Sequence, residues 1–224
     1  MCERFSLTAD IVQLQQTFGI TKMMTPYRRR YNISPLQQVP IVIGKLHERE
    51  LVDSRWGFFP YWAKDSVNAD YDAVSGKKIF ERILKRQRCI VPCSGFYMTR
   101  TEGKLSSSLR VVLRDKPVFG MAGLYETRVD PRGLEHRTFT IVTTMSNRIV
   151  SEYTERMPVI LEAEDMDLWL DANATDTSCW NSRIYPYAAS GMDSYPVNPR
   201  LQLEELDTPD CIVQYDPGTL TVKR

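Results

Sequence analysis

Short runs rich in β-branched and aromatic residues crowd the middle of the chain, at 39–43, 88–91, 109–113, 118–124 and 138–144, and they limit the fold more than any other feature. Each is shorter than an ordinary helix and carries side chains that suit a pleated, half-buried surface. Helical spacing is confined to three stretches. In 8–18, Ile11, Leu14 and Phe18 share a face, Thr8 or Asp10 supplies the N-cap and Gly19 the stop. In 77–86, Ile79, Phe80, Ile83 and Leu84 recur at helical intervals, and in 162–170 an acidic first turn precedes Met166, Leu168, Trp169 and Leu170. The expected class is α+β: a single domain with a curled, largely antiparallel β-sheet or barrel and peripheral helices. No repeat or Gly/Ser-rich linker divides the 224 residues, so one domain over 1–224 is expected, ending in a C-terminal tail at 201–224.

A net charge of +1 argues against a protein that holds duplex DNA by bulk positive charge. Two local basic clusters remain, Arg28-Arg29-Arg30 and the group Lys77, Lys78, Arg82, Lys85, Arg86 and Arg88, and the ordinary reading of each is a solvated face. The five cysteines, at 2, 89, 93, 179 and 211, are odd in number and have no repeated spacing, unlike a disulfide framework. Cys89 and Cys93 are far in sequence from both histidines, His47 and His136, so buried structural thiols are expected there and no metal or cofactor is. No signal peptide or apolar stretch of membrane-spanning length is evident, and the expected location is the cytoplasm.

The chain opens Met1-Cys2. If a methionine aminopeptidase removes Met1, which a residue as small as cysteine permits, Cys2 becomes a 1,2-aminothiol. An α-amine with a pKa of about 7.7 to 8.0 is partly unprotonated at neutral pH and condenses with an aldehyde. The neighbouring thiol then adds to the imine and closes a thiazolidine ring, a reaction no internal cysteine can perform.

Several short segments are too particular to be read as propensity alone. They run in order from Met1-Cys2-Glu3-Arg4-Phe5 through Tyr31-Asn32-Ile33-Ser34-Pro35, Arg55-Trp56-Gly57-Phe58-Phe59-Pro60 with Trp62-Ala63, and Asn68-Ala69. Arg88-Cys89-Ile90-Val91-Pro92, Gly95-Phe96-Tyr97, Ala122-Gly123-Leu124-Tyr125, Ile141-Val142-Thr143-Thr144 and Arg156-Met157-Pro158-Val159-Ile160-Leu161 complete the set. It resembles the SOS response-associated peptidase family, the abasic-site processing proteins, from residue 1 to roughly residue 200. The resemblance implies binding of single-stranded DNA and a thiazolidine cross-link between the N-terminal cysteine and the ring-opened sugar of an abasic site. By this resemblance Cys2 is the nucleophile, Arg4 contacts a phosphate, Asn32 and Asn68 line the pocket and Thr143 lines the DNA site. Trp56 either stacks on a base or fills the core.

The sequence departs from the family where chemistry is concentrated. Met98 stands where the family has its catalytic glutamate, and Thr154 where it has its acid/base histidine. Asp70 replaces a phosphate-binding arginine, and Glu3 replaces a glycine. An anion near a phosphate path weakens DNA binding, and loss of general acid/base groups typically costs a factor of about 10² to 10⁴ in rate. Glu3 and Glu155 are candidate substitute acids or simply solvated residues. Three functions follow: a slow cross-linker of abasic sites, a single-strand binding or regulatory module that lost the chemistry, and a cysteine-type peptidase acting once on its own N-terminus. A monomer is expected.

Overall fold

The computed structural model describes residues 3–45, 48–102, 105–202 and 206–216. The chain enters through β1 (Arg4–Leu7) and α1 (Ile11–Phe18), then β2 (Lys22–Met23), β3 (Arg30–Ile33), β4 (Gln38–Lys45), β5 (Glu48–Trp56) and β6 (Asn68–Asp70). Two helices, α2 (Tyr71–Val74) and α3 (Lys78–Arg86), lead to β7 (Arg88–Cys93), β8 (Gly95–Glu102), β9 (Leu105–Leu113), β10 (Phe119–Val129) and β11 (Glu135–Met145). The last part comprises β12 (Arg156–Pro158), β13 (Ile160–Leu161), α4 (Ala163–Leu170) and β14 (Met192–Val197), with short 3-10 turns at Pro199–Gln202 and Pro209–Ile212.

Strands β4, β5, β7, β10 and β11 form a closed ring. Antiparallel ladders join β11 to β10, β10 to β7, β7 to β4 and β4 to β5, and a parallel seam, Thr138 beside Arg55 and Phe139 beside Trp56, returns β5 to β11. Closure removes the exposed edges that an open sheet of this length would carry. A second, fully antiparallel sheet in the order β14-β9-β8-β1-β3 lies beside the barrel. One apolar cluster joins both: Phe5 from the sheet meets the barrel's Trp56 edge-on at 5.2 Å, and Trp56 stacks on Phe139 at 6.4 Å.

The expected α+β class and the three helices are present. Asp10 is the cap of α1, accepting from Gln13 N at 2.9 Å while the Gln13 side chain accepts from Asp10 N, a reciprocal arrangement that satisfies two otherwise orphaned donors. Gly19 stops the helix at φ 61°, where a residue with a Cβ is strained.

One expectation needs correction. Arg88 does not join a solvated basic face. It is 3% exposed and its guanidinium donates to the carbonyls of Leu84, Lys85, Trp169 and Asp171, whereas Lys77, Lys78, Arg82 and Arg86 of that cluster are exposed and Lys85 is half-buried. Beyond residue 200 the described residues pack on the second sheet, with Leu201 and Cys211 buried against Tyr97 and Val197. Cys89 and Cys93 are buried as expected.

Candidate functional site

Strand β11 is the centre of one group of residues singled out from sequence. On one side it pairs in parallel with β6, setting Thr143 beside Asp70 and Ile141 beside Asn68; on the other it pairs with β12, setting Thr143 opposite Pro158 and Met145 opposite Arg156. Thr143 is buried and donates through Oγ1 to the Ala69 carbonyl at 3.3 Å, which ties β6 to β11 by a side chain as well as by the ladder. Asn68 is 6% exposed.

Arg156, from the Arg-Met-Pro segment, turns back across this junction. Its Nη2 donates to the Thr143 carbonyl at 2.7 Å and its Nε to Thr143 Oγ1 at 3.3 Å. The same guanidinium meets Asp70 Oδ1 at 2.6 Å and lies 3.7 Å from Asp72 Oδ2. Asp70 has a second duty: Oδ1 accepts from the backbone N–H groups of Asp72 at 3.0 Å and Ala73 at 3.4 Å, capping α2. The Asp70 carboxylate is therefore met by the Arg156 guanidinium.

Thr154 ends the turn that precedes β12, with its N–H donating to the Val150 carbonyl at 3.1 Å. Asn147 braces the turn, since its Oδ1 accepts from Ile149 N at 3.0 Å and Val150 N at 3.1 Å while its Nδ2 donates to the Tyr187 carbonyl at 2.8 Å. Met98 lies on the other sheet, opposite Leu109 of β9, 2% exposed and inside the shared apolar cluster. Arg100 lies two residues on and therefore on the same face of β8. Partial burial and Glu152 push the Tyr153 hydroxyl up, and Arg100 draws it down.

Arg4 and Asn32 form a second group, on β1 and β3. Arg4 donates from Nη1 to Asn32 Oδ1 at 3.2 Å and from Nη2 to the Gln202 carbonyl at 2.9 Å. The Asn32 amide donates to the carbonyls of Leu201 at 2.9 Å and Leu206 at 2.7 Å. Asp207 accepts from the N–H groups of Tyr31 at 2.6 Å and Asn32 at 3.0 Å and pairs with Arg30. Asn32 has no exposed surface and fastens the C-terminal segment to the sheet. Cys2, the proposed nucleophile, lies outside the described residues; in the sequence Glu3 joins it to Arg4, at the start of β1.

Trp56 takes the core reading of the two open to it. It is wholly buried, its Nε1 donates to the Val67 carbonyl at 2.8 Å, and it cannot reach a base. The aromatic side chains that do face solvent come a few residues later. Trp62 is 82% exposed and Phe59 52%, Arg128 lies over the Phe59 ring at 5.6 Å and Arg55 over Tyr61 at 4.7 Å. Arg55, Phe59, Tyr61, Trp62 and Arg156 lie in or beside the quoted motifs, and Arg128 lies outside them. A large aromatic in a Pro-containing turn, outside any strand alternation, was the available signal for Trp62.

The closed barrel with its flanking sheet is a known architecture: a crystal structure of a protein from Bacteroides thetaiotaomicron superposes with a TM-score of 0.82 over 96% of this chain and all of that one, at 24% identity. A phage-related protein from Bordetella bronchiseptica gives 0.69 over 88% of this chain and 94% of its own, at 19% identity. Residues 1–203 match the SOS response associated peptidase (SRAP) family, and the chain belongs to that family. It is 33% identical to the abasic site processing protein YoqW of Bacillus subtilis, over 95% of this chain and 99% of that protein. It is also 27% identical to the abasic site processing protein HMCES of Rattus norvegicus, over 88% of this chain and 67% of that one. No helix among the described residues is long and apolar enough to cross a membrane.

Proposed function

We propose that this protein processes abasic sites in single-stranded DNA by forming a covalent link through Cys2 once Met1 is removed. The observation that carries the reading is a Met1-Cys2 start on a chain that aligns nearly end to end with an abasic site processing protein. In the reaction the Cys2 amine attacks the aldehyde carbon of the ring-opened sugar and expels one water as the imine forms. The thiol sulfur then adds to the imine carbon, its proton passes to nitrogen, and a thiazolidine results with no oxidant or cofactor consumed.

Support for a single strand as the ligand comes from Trp62 and Phe59, exposed beside Arg55 and Arg128, because bases stack on such rings without sequence preference and cations hold the backbone. The reaction is slow in this reading. Met98 and Thr154 offer no carboxylate or imidazole where the family has them, so proton transfers fall to water or to groups such as Glu3 and Glu155, both exposed. A second reading, a binding module without covalent chemistry, is favoured by the burial of Met98 in the apolar cluster.

Incubation with an abasic oligonucleotide followed by a denaturing gel distinguishes the two. A heat-stable adduct on the abasic strand alone, absent in Cys2→Ala, supports cross-linking, and intact mass should show the mature chain starting at Cys2. Equal adduct from wild type and Cys2→Ala rules Cys2 out as the linking residue, and a retained Met1 leaves no aminothiol.

A further inference from the structure

We infer that Asp70, backed by Asp72, is an internal counter-anion that occupies Arg156 and so sets the strength and salt dependence of single-strand binding at this site; the inference rests on the single-strand reading above. Thr143 fixes the guanidinium through Nε and Nη2, at 3.3 Å to its hydroxyl and 2.7 Å to its carbonyl, and the two carboxylates take Nη2 and Nη1, at 2.6 Å and 3.7 Å. One cation therefore meets two anions. The Arg156 side chain contacts Thr143 Oγ1, Asp70 and Asp72 together, and it stands two residues from Thr154. A phosphate arriving there must displace Asp70 before it can use the guanidinium fork, whose two-pronged geometry suits phosphate as well as carboxylate.

The charge on Asp70 is not needed for its other role. Asparagine and serine cap a helix about as well as aspartate. The ion pair is also displaceable: with the side chains of Asp70 29% and Asp72 75% exposed, it is of the kind that adds little to stability. What the carboxylate changes is the competition for Arg156. Without it, one more phosphate contact becomes available and one more counterion is released when a strand binds.

The test uses a fluorescent oligothymidylate without abasic sites, so that Cys2 chemistry plays no part, with binding followed by anisotropy at 50 and 200 mM salt. Wild type, Asp70→Asn, Asp70→Ser, Arg156→Gln and the Asp70→Asn/Arg156→Gln double variant are compared, each after a thermal melt. Both Asp70 variants should bind roughly threefold or more tightly at 50 mM, with a salt slope steeper by ~0.7, so that the advantage shrinks by about 2.6-fold at 200 mM. Arg156→Gln should cost the Asp70→Asn protein more than it costs wild type. Folded Asp70→Asn and Asp70→Ser proteins with wild-type affinity and slope overturn the inference, as does a gain that survives in the double variant, which would make Asp70 a general repulsive charge. Failure of every protein to bind the strand overturns it too. Tighter binding by Asp70→Asn with no adduct on an abasic strand leaves this inference standing and removes the cross-linking reading instead.

Discussion

Restoring the family's two missing groups, Met98→Glu with Thr154→His, puts the cost of a buried charge in direct opposition to a catalytic gain. Met98 is 2% exposed within the apolar cluster, so the single change Met98→Glu removes a buried apolar side chain, about 1.5–3 kcal/mol, and leaves a polar group short of partners, about 1–3 kcal/mol more. The sum, roughly 2.5–6 kcal/mol, is a large fraction of a marginal stability of about 5–15 kcal/mol. At about 2–4 °C per kcal/mol for a chain of this size, the melting temperature should fall by roughly 5 to 24 °C. The loss should depend on pH. Burial raises the pKa of the new carboxyl in the folded state, the folded chain then holds the proton more tightly than the unfolded one, and the deficit should grow as pH rises above about 4.3. Where the Thr154→His imidazole meets the new carboxyl, the double variant should melt higher than the sum of the single losses allows.

Single-turnover adduct formation on an abasic strand gives the catalytic half of the comparison. A carboxylate and an imidazole acting together are each worth about 10²–10⁴ at most, and two groups that work as a unit recover little singly, so the double variant should gain on the order of 10² while each single change gains far less. A folded double variant no faster than wild type would refute the reasoning, because it would mean that positions 98 and 154 no longer face one reaction centre.

Asp207→Ala should lower the melting temperature by roughly 3 to 12 °C, since it removes a charged acceptor of two backbone N–H groups worth about 1.5–3 kcal/mol, and the Tyr31 and Asn32 amides should exchange faster; an unchanged melt would show that the C-terminal segment is not held there. Trp62→Ala should weaken single-strand binding by about 1–3 kcal/mol with a thermal shift inside the ordinary surface range, as anisotropy and melting would measure. Iodoacetamide at pH 8 should modify partly exposed Cys179 well before Cys89 and Cys211, whose thiols burial pushes up, and peptide mapping that found Cys89 labelled as fast as Cys179 would contradict its burial.

Local chemistry made much of the fold legible. The β-branched runs became β4, β7, β9, β10 and β11 with little more than their ends extended, and Asp10 and Gly19 bounded α1 because capping is decided within a few residues. Strand β5 escaped notice because Glu48-Arg49-Glu50 and Asp53 break its apolar alternation, and β14 because Pro196 marks an edge strand that reads as a loop. What sequence spacing cannot reveal is contact at long range. Asn32 meets Leu201 across 169 residues, a pairing that fastens the C-terminal segment to the sheet.

Asp70 shows the same limit at the site itself. Read as an exposed anion, it makes Asp70→Arg the natural way to strengthen DNA binding. With its partners known, that substitution does three things together: it frees Arg156, sets a second guanidinium beside it, and removes the carboxylate that accepts from Asp72 N and Ala73 N. Loss of the cap costs about 1 kcal/mol, or roughly 2 to 4 °C in melting temperature, whereas Asp70→Asn keeps an acceptor there and should cost far less. The arginine and asparagine variants should therefore part in thermal melts while both gain affinity for a single strand. Equal melting of the two would mean that the α2 cap contributes nothing, and an affinity gain confined to Asp70→Arg would mean that added positive charge, not the release of Arg156, governs binding at this junction.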